Sequence, residues 1–429
     1  MPRPPMLAAN TGELLQDLTL AAVMKYLPRE DVKRALAETK TDSIRQRLLP
    51  ADMVAYLVVM LALYSEASVR ENLRILMEPL RRTFGVEAIS VPTGGAITKA
   101  RKRLGVAPFI RLFDALARPA GTPEIPGVFY NEFRVVAVDG TTVDIQDTEA
   151  NREKFGIHTN QHGNAGYPQV KAVVMVECGT RVPLGCAYGG GNEYEPGLFD
   201  KLQPRLEKDM LLLADRMYYD FARWKACAER AGALLWRVKS SLNLKPISVL
   251  EDGSYLAEVR PSNTLIRTGR SEKGDSLVVR VMEYHPVFAD GTEGERVRLA
   301  TTLLDAKKAP AGELCRLFAM RWESETGFDE LKTHLRGADR VLRSPLPDLV
   351  EQELYGFLLA YAVVRLTMTE SARLERCPPR DLSFIHAVRV IRRRISFPPC
   401  GGSNGQRGIS GNTPGNRRGT RAEPRRTKA

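Results

Sequence analysis

The 429-residue sequence contains few of the residues that build disulfide or zinc scaffolds. It has six cysteines and five histidines, and no two cysteines form a CxxC pair. In so long a chain, irregularly spaced cysteines indicate reduced thiols. The longest apolar run, MVAYLVVMLALY at residues 53–64, is too short to cross a bilayer, and no secretory signal opens the chain. We therefore expect a soluble, cytoplasmic protein with no membrane partner.

The sequence also lacks internal repeats and a nucleotide-binding loop. The stretch GGGN at 189–192 is not followed by Lys and Ser or Thr, so ATP is not implied. Positive charge, in contrast, is abundant: the formal net charge is +12 and the pI is near 9.4. Residues 401–429 hold seven Arg and Lys against one Glu, which is half of that excess. This balance indicates a polyanionic partner such as nucleic acid.

Changes of pattern along the chain predict six segments. They are a helical N-terminal, DNA-binding domain (1–118), a Pro/Gly-rich linker (119–130), an α/β segment (131–239), a β-rich segment (240–305), a helical segment (306–397) and a basic tail (398–429). The tail has almost no bulky apolar residue and is predicted to be disordered.

A helix over residues 318–335, FAMRWESETGFDELKTHL, carries charges where a core-facing helix should be apolar. At about 100° per residue, one apolar stripe contains Leu314, Leu317, Phe318, Phe328 and Leu335. Arg321, Glu325 and Lys332 lie inside that stripe. Glu323 and Glu330 fall on the opposite side and are expected to be solvated. The inner face of this helix is therefore predicted to border a charged site.

Two aspartates each follow an apolar run. Asp139 follows VVAV, and Asp215 follows MLLLA. An apolar strand that ends in Asp places a carboxylate at the carboxyl edge of a buried sheet, where ligands of α/β sheets bind. Taken alone, each aspartate is more simply a turn or helix-cap residue. Together with the inward Glu325, they favour a carboxylate cluster.

Two Asp and one Glu are hard oxygen ligands that suit Mg²⁺ or Mn²⁺. Three carboxylates can hold two ions that contact the attacking and leaving oxygens of a phosphodiester. Arg321 and Lys332, one turn before and two turns after Glu325, would contact phosphates. The hypothesis is a metal and DNA site beside the inner face of the helix.

The spacing Phe318-x₂-Arg321-x₃-Glu325-x₆-Lys332 resembles the Y-x₂-R-x₃-E-x₆-K signature of the insertion-sequence-four family of bacterial DDE transposases. VDGTTVDI, ADRMYYD and RWESETGFDELK are similar to that family's three catalytic blocks, in the same order. The N-terminal stretches LLPADMVAYLVVMLALY and VPTGGAITKARKRLG resemble its N-terminal domain, so the resemblance covers roughly residues 12–370.

The resemblance implies an α/β catalytic core, with a ribonuclease H-like mixed sheet and helices, and a mainly β insertion at 240–305. It implies that Asp139, Asp215 and Glu325 are the catalytic metal ligands. It also implies that Arg321 and Lys332 contact the transposon end. The signature has Tyr at the position of Phe318, and the lost hydroxyl removes one phosphate hydrogen bond, worth about 0.5–1.5 kcal/mol. The basic tail does not resemble the family's ending.

The implied activity is cut-and-paste DNA transposition: metal-dependent cleavage at the terminal inverted repeats, through a hairpin intermediate, and strand transfer to target DNA. The resemblance also implies a homodimer that brings two ends together, in a cytoplasmic, nucleoid-associated bacterial protein. Two alternatives stay open. One is a catalytically decayed DNA-binding remnant that inhibits transposition, and the other is a ribonuclease H-like nuclease without strand transfer.

Further DNA-contact candidates lie outside the signature. The stretch TGGAITKARKRLG (93–105) has a basic helix with four such side chains, Lys99, Arg101, Lys102 and Arg103. A solvated helix face is the alternative for them. Trp322 is expected to pack at the edge of the apolar stripe, or to stack on an unpaired base. His158 and His162 are interpreted as part of a polar loop rather than a metal site.

Overall fold

A computed structural model describes residues 18–43, 49–84, 92–160, 163–287, 291–337 and 340–392 of the chain. Of these, the side chains of 78–84, 158–160 and 163–165 are not described. The predicted basic tail (398–429) and His162 lie outside the described residues, as does the side chain of His158.

The predicted helical N-terminal region is confirmed. Between residues 18 and 116 the described residues form α1 (Leu18–Tyr26), α2 (Arg29–Glu38), α3 (Ala51–Leu63), α4 (Val69–Phe84), α5 (Gly94–Leu104) and α6 (Ala107–Leu116). Every residue of α3 except Asp52 is buried, because this helix is apolar on all sides. Buried helices of this kind need neighbours around their whole circumference.

A mixed sheet forms the centre of the protein. Its first strands are β1 (Phe129–Tyr130), β2 (Phe133–Asp144), β3 (Ile157–Asn160), β4 (Gly163–Glu177), β5 (Pro183–Gly190), β6 (Met210–Ala214) and β7 (Ala233–Arg237). The intervening helices are α7 (Glu149–Phe155), α8 (Glu195–Asp200) and α9 (Phe221–Arg230). The strand order across the core is β5-β4-β2-β6-β7. β2, β6 and β7 are parallel, and β4 is antiparallel to both of its neighbours. This order and these directions are those of a ribonuclease H-like fold, which confirms the predicted class.

The β-rich segment does not form a separate sheet. It contains β8 (Pro246–Val249), β9 (Tyr255–Val259), the short α10 (Asn263–Arg267), β10 (Leu277–Tyr284) and β11 (Val297–Thr301). β11 pairs antiparallel with β7, and the order β7-β11-β10-β9-β8 continues the core sheet outward. The insertion therefore extends the core sheet.

The helix predicted over 318–335 consists of several pieces. α11 (Ala311–Phe318) leads through a 3₁₀ turn (Ala319–Arg321) into α12 (Trp322–Asp329), which continues as a π-helix (Glu330–Gly337). α13 (Pro347–Glu375) and α14 (Phe384–Ile391) follow. No described helix is long and apolar enough to span a membrane.

Two hydrophobic cores lie on the two faces of the sheet. One core joins apolar residues of the N-terminal helices, β2, β4, α11, α12 and α13. The other lies under α8 and α9 and reaches β9 and β10. α3 and α13 pack so closely that a Cβ on Gly356 would lie 2.9 Å from the carbonyl oxygen of Val58. The N-terminal helices therefore share one core with α13 and α14.

Candidate active site

Two parallel strands bring Asp139 and Asp215 side by side. In the pairing of β2 with β6, Ala137 lies opposite Leu213, and this pairing ends there. Two residues further along the chain from this last pair are Asp139, still within β2, and Asp215, directly after the end of β6. β2 itself continues to Asp144 along β4, where Asp139 pairs with Val174. Asp139 is therefore in the middle of a strand, but at the point where its parallel neighbour ends.

Arg321 connects the first aspartate to Glu325. Its Nη1 lies 3.3 Å from Asp139 Oδ2, and its Nη2 donates to Glu325 Oε1 at 2.8 Å. Arg321 is buried, with 8% of its surface exposed, whereas the Glu325 side chain is 38% exposed. The spacing of four residues places Arg321 and Glu325 on one side of the helix. The predicted inward direction of Arg321 and Glu325 is thus confirmed.

The described part of the chain contains no group of three or more His, Cys, Asp and Glu side chains that could hold a metal ion. The Arg321 guanidinium, paired with both Asp139 and Glu325, supplies the positive charge between them. The donors nevertheless fit a hard cation. Asp215 Oδ1 is buried and has no hydrogen-bond partner among the described atoms, and a buried carboxylate oxygen without a partner is costly.

Burial also disturbs Asp139. The pKa of Asp139 is raised to about 6, chiefly by desolvation and to a smaller extent by the charges of Glu325 and Glu195, against a hydrogen bond from the Gly140 amide and the charge of Arg321. A carboxyl with so high a pKa gains from any added positive charge beside it.

We expect the ionisation of Asp139 to reduce the stability of the metal-free protein as the pH rises from about 4 to about 6. The pKa of Asp139 is about 6 in the folded protein, against a usual 3.8. Unfolding therefore releases a proton in this window, and a higher pH favours unfolding. Asp139→Asn should remove this dependence and raise the free energy of unfolding at pH 7 by up to about 3 kcal/mol. Thermal denaturation in EDTA across pH 4–8 measures it, and parallel pH profiles for both proteins would contradict it.

Two expectations for the same helix are wrong. Glu323 and Glu330 are not solvated, since their side chains are only 12% and 8% exposed. Arg181 forms ion pairs with both of them, and Glu330 also accepts from Tyr361 and pairs with Arg365. The reason is that the helix packs on two sides, against the sheet and against α13. The 3₁₀ turn and the π-helix also change the angle between successive side chains.

The other signature residues differ in exposure. Lys332 is half-buried and lines a groove of about 700 Å³ with Asp139, Glu325, Asp144 and Arg336. Burial and the charge of Arg336 lower the pKa of Lys332. Phe318 is buried, and its ring lies 6.0 Å from Arg321 Cζ.

Trp322 is 59% exposed, so it does not pack at the edge of the stripe as the first alternative expected. Its ring lies 5.3 Å from Arg321 Cζ. A large exposed aromatic residue beside Arg321 is available to a ligand.

The basic helix α5 presents its side chains in two directions. Lys99, Lys102 and Arg103 are exposed. Arg101 departs from the expected DNA contact, because it is buried against α13, where it donates to the Gln352 side chain and to the carbonyl oxygen of Leu349. Its position at i+2 from Lys99 places it on a different face of the helix.

Sequence reasoning missed Glu195 and Tyr218. Glu195 begins α8, and its Oε1 accepts a hydrogen bond of 2.6 Å from the Tyr218 hydroxyl. The Glu195 carboxylate lies against Gly140, directly after Asp139. The available signal was Gly140 itself, since glycine inside a strand often marks a close approach.

A ribonuclease H-like sheet with carboxylates at the end of its central parallel strands is the architecture of DDE-type DNA-cleaving enzymes. The family model "Transposase DDE domain" matches residues 130–363, and "Insertion element 4 transposase N-terminal" matches residues 17–114. The chain therefore belongs to the DDE transposases of the insertion-element-4 family.

Individual relatives agree with this assignment. The chain is 29% identical over 381 residues to the transposase InsG for insertion sequence element IS4 of Escherichia coli K12, covering 88% of this chain and 83% of InsG. It is 24% identical over 196 residues to the putative transposase InsZ of the same strain, covering 46% of this chain and 63% of InsZ. A piggyBac transposase synaptic complex with hairpin DNA aligns with 10% identity and a TM-score of 0.44, over 90% of this chain and 81% of that chain.

Proposed function

We propose that this transposase cleaves DNA at the ends of its own insertion sequence and joins the freed 3′ ends to target DNA, with Asp139, Asp215 and Glu325 as its catalytic residues. The observation that carries this proposal is the meeting of the three blocks at one place: Asp139 and Glu325 share Arg321, and Asp215 follows the neighbouring parallel strand.

The three carboxylates are proposed to hold two Mg²⁺ or Mn²⁺ ions. When bound, such ions activate the attacking oxygen and stabilise charge on the leaving oxygen. Asp215 fits this role because its buried Oδ1 has no hydrogen-bond partner in the described part of the chain. Asp139 fits because added positive charge would favour its ionised form. With that charge present, Arg321 would be released to contact a phosphate.

The groove beside the carboxylates is proposed to receive the DNA backbone. Lys332 lines this groove and forms no ion pair with any of the described residues. Its charge is therefore available to a phosphate. Trp322, exposed at the side of Arg321, is proposed to stack on a base. Phe318 is proposed to act by supporting the Arg321 guanidinium, since its own ring is buried.

We further propose the segment boundaries given by the sequence, with residues 1–118 as the domain that binds double-stranded DNA. Two copies of the chain are proposed to form the active complex, because joining an element to one target requires two ends held together. Analytical ultracentrifugation with and without an end duplex tests this step, and a single chain per cleaved pair of ends would reject it.

The activity itself is tested with the element's own ends. Matching inverted repeats bounded by a short target duplication should flank the gene. A duplex with one repeat, the purified protein and Mg²⁺ should give nicked product with a 3′-OH, and then joined product with target DNA. EDTA should prevent both. Cleavage without joining would favour a nuclease, and binding without cleavage would favour the DNA-binding remnant.

The basic helix α5 gives a separate prediction. Replacing the exposed Lys99 and Lys102 with Ala should weaken binding of any duplex sequence and reduce the slope of log K against log salt by about 1.8, or 0.9 for each phosphate contact. The melting temperature should stay unchanged. Arg101→Ala should instead leave the salt slope unchanged and lower the free energy of unfolding by about 1–3 kcal/mol, because it removes buried hydrogen bonds. Fluorescence anisotropy over a KCl series and thermal denaturation measure the two effects. An unchanged salt slope in the double variant would reject the DNA contact.

A further inference from the structure

A fourth carboxylate lies against the strand that carries Asp139. The Glu195 side chain is so close to Gly140 that a Cβ at position 140 would lie 2.1 Å from Glu195 Cδ and 2.2 Å from Oε1. Real atoms do not approach so closely, so only glycine leaves room for this carboxylate. Gly140, directly after Asp139, thus has no side chain at the point where Glu195 contacts the strand.

Tyr218 fixes the direction of that carboxylate. Tyr218 is completely buried, and its hydroxyl donates to Glu195 Oε1 at 2.6 Å. It stands three residues after Asp215, and its backbone N–H donates to the Asp215 carbonyl oxygen at 3.1 Å. The Tyr218 hydroxyl therefore holds Glu195 Oε1 beside the strand that carries Asp139.

Glu195 differs from the acidic residue two positions before it. Glu193 is 42% exposed and forms an ion pair with Lys201. No ion pair to Glu195 is found within the described residues, although its carboxylate lies against Gly140, the residue after Asp139. Glu195 and Asp139 carry like charges, and the Tyr218 hydrogen bond and the space left by Gly140 keep them close. Their repulsion lowers the stability of the folded protein unless a cation lies between them.

We propose that Glu195 is a fourth carboxylate of the catalytic centre and helps to hold the divalent cation at Asp139 and Asp215, with Tyr218 as its positioning residue. The inference rests on the proposed function, because it assumes that Asp139 and Asp215 bind that cation. It assigns a role to α8 and to Gly140 that lies outside the three catalytic blocks.

The test uses the full-length protein and Mn²⁺ alone, with the rise in melting temperature as the readout. Glu195→Gln should fold and should weaken the apparent Mn²⁺ affinity by about 10- to 100-fold, which is the usual effect of losing such a partner. Glu195→Asp should recover part of that loss. Tyr218→Phe should weaken the affinity less, and the control Glu193→Gln should match wild type.

Gly140→Ala provides an independent check. It should push the Glu195 carboxylate away and weaken Mn²⁺ binding as Glu195→Gln does. In a Glu195→Ala background, Gly140→Ala should cost little more, because the two residues act through one contact. A full additional loss there would overturn the inference.

Asp139→Asn separates this inference from the proposed function. If Asp139→Asn abolishes the Mn²⁺ effect and Glu195→Gln leaves it at the wild-type level, the fourth carboxylate is rejected and the triad stands. If Mn²⁺ does not raise the melting temperature of the wild-type protein and no cleavage occurs, both are rejected.

Discussion

Glu325→Gln should reduce Mg²⁺-dependent cleavage of an element-end duplex by about 10⁴-fold or more, while binding of that duplex in EDTA stays near wild type. The substitution keeps the shape of the side chain and removes one oxygen charge from the proposed metal site. Asp139→Asn and Asp215→Asn should have the same effect. Combining any two should cost little more, because residues that act as one unit are not additive. Single-turnover cleavage and anisotropy measure the two quantities.

Glu323→Gln is the matched control, since it changes the same residue type two positions away. The side chains of Glu323 and its ion-pair partner Arg181 are each only about one-eighth exposed, so the substitution should lower the melting temperature. The fraction that remains folded should cleave at the wild-type rate. Comparable cleavage by folded Glu325→Gln and wild type would reject the triad. A cleavage defect in folded Glu323→Gln would show that this face of the helix also serves the reaction.

Glu330→Gln should lower the free energy of unfolding by about 3–5 kcal/mol, the usual effect of breaking a buried ion pair. Its side chain is 8% exposed and accepts from Arg181 and Tyr361, and Arg365 lies 3.4 Å away with no exposed surface. Without the carboxylate, the buried Arg365 guanidinium would lose its ion pair, and Arg181 would keep only Glu323. Denaturant titration gives the change.

Asp329→Asn is the control for this second prediction. Asp329 precedes Glu330 directly, but its side chain is 61% exposed. Replacing it should change the free energy of unfolding by no more than about 0.5 kcal/mol. A Glu330→Gln protein as stable as wild type would mean that the network of Arg181, Glu330 and Arg365 does not hold the π-helix against α13.

The sequence was informative about Arg321 and Glu325 because they are charged residues on a helix stripe that is otherwise apolar. Arg321 and Glu325 were expected to face inward, and they do, because a helix with a period near 3.6 places residues four apart on one side. The same rule failed for Glu323 and Glu330. Periodicity finds the face that is most apolar, but it does not show that a second face is also covered by α13.

The sequence pattern did not predict which distant strands pair with each other. The strands of 240–305 were recognisable, yet nothing local to them specifies that β11 pairs with β7. Glu195 was missed for a related reason. Its importance comes from Gly140, 55 positions earlier in the chain, and from Tyr218, 23 positions later. A single charged residue at the start of a short helix gives no sign of such neighbours.

The pairing of β11 with β7 also affects how the protein is made. β7 ends at Arg237 and β11 begins at Val297, so the ribosome must add 60 more positions before the outer edge of β7 is covered. Until then the nascent chain carries an open edge on an apolar strand, which invites binding by a chaperone or by another chain. Glu325 is synthesised later still. A chain that ends inside the insertion would thus hold Asp139 and Asp215 without Glu325, the third of the proposed catalytic carboxylates.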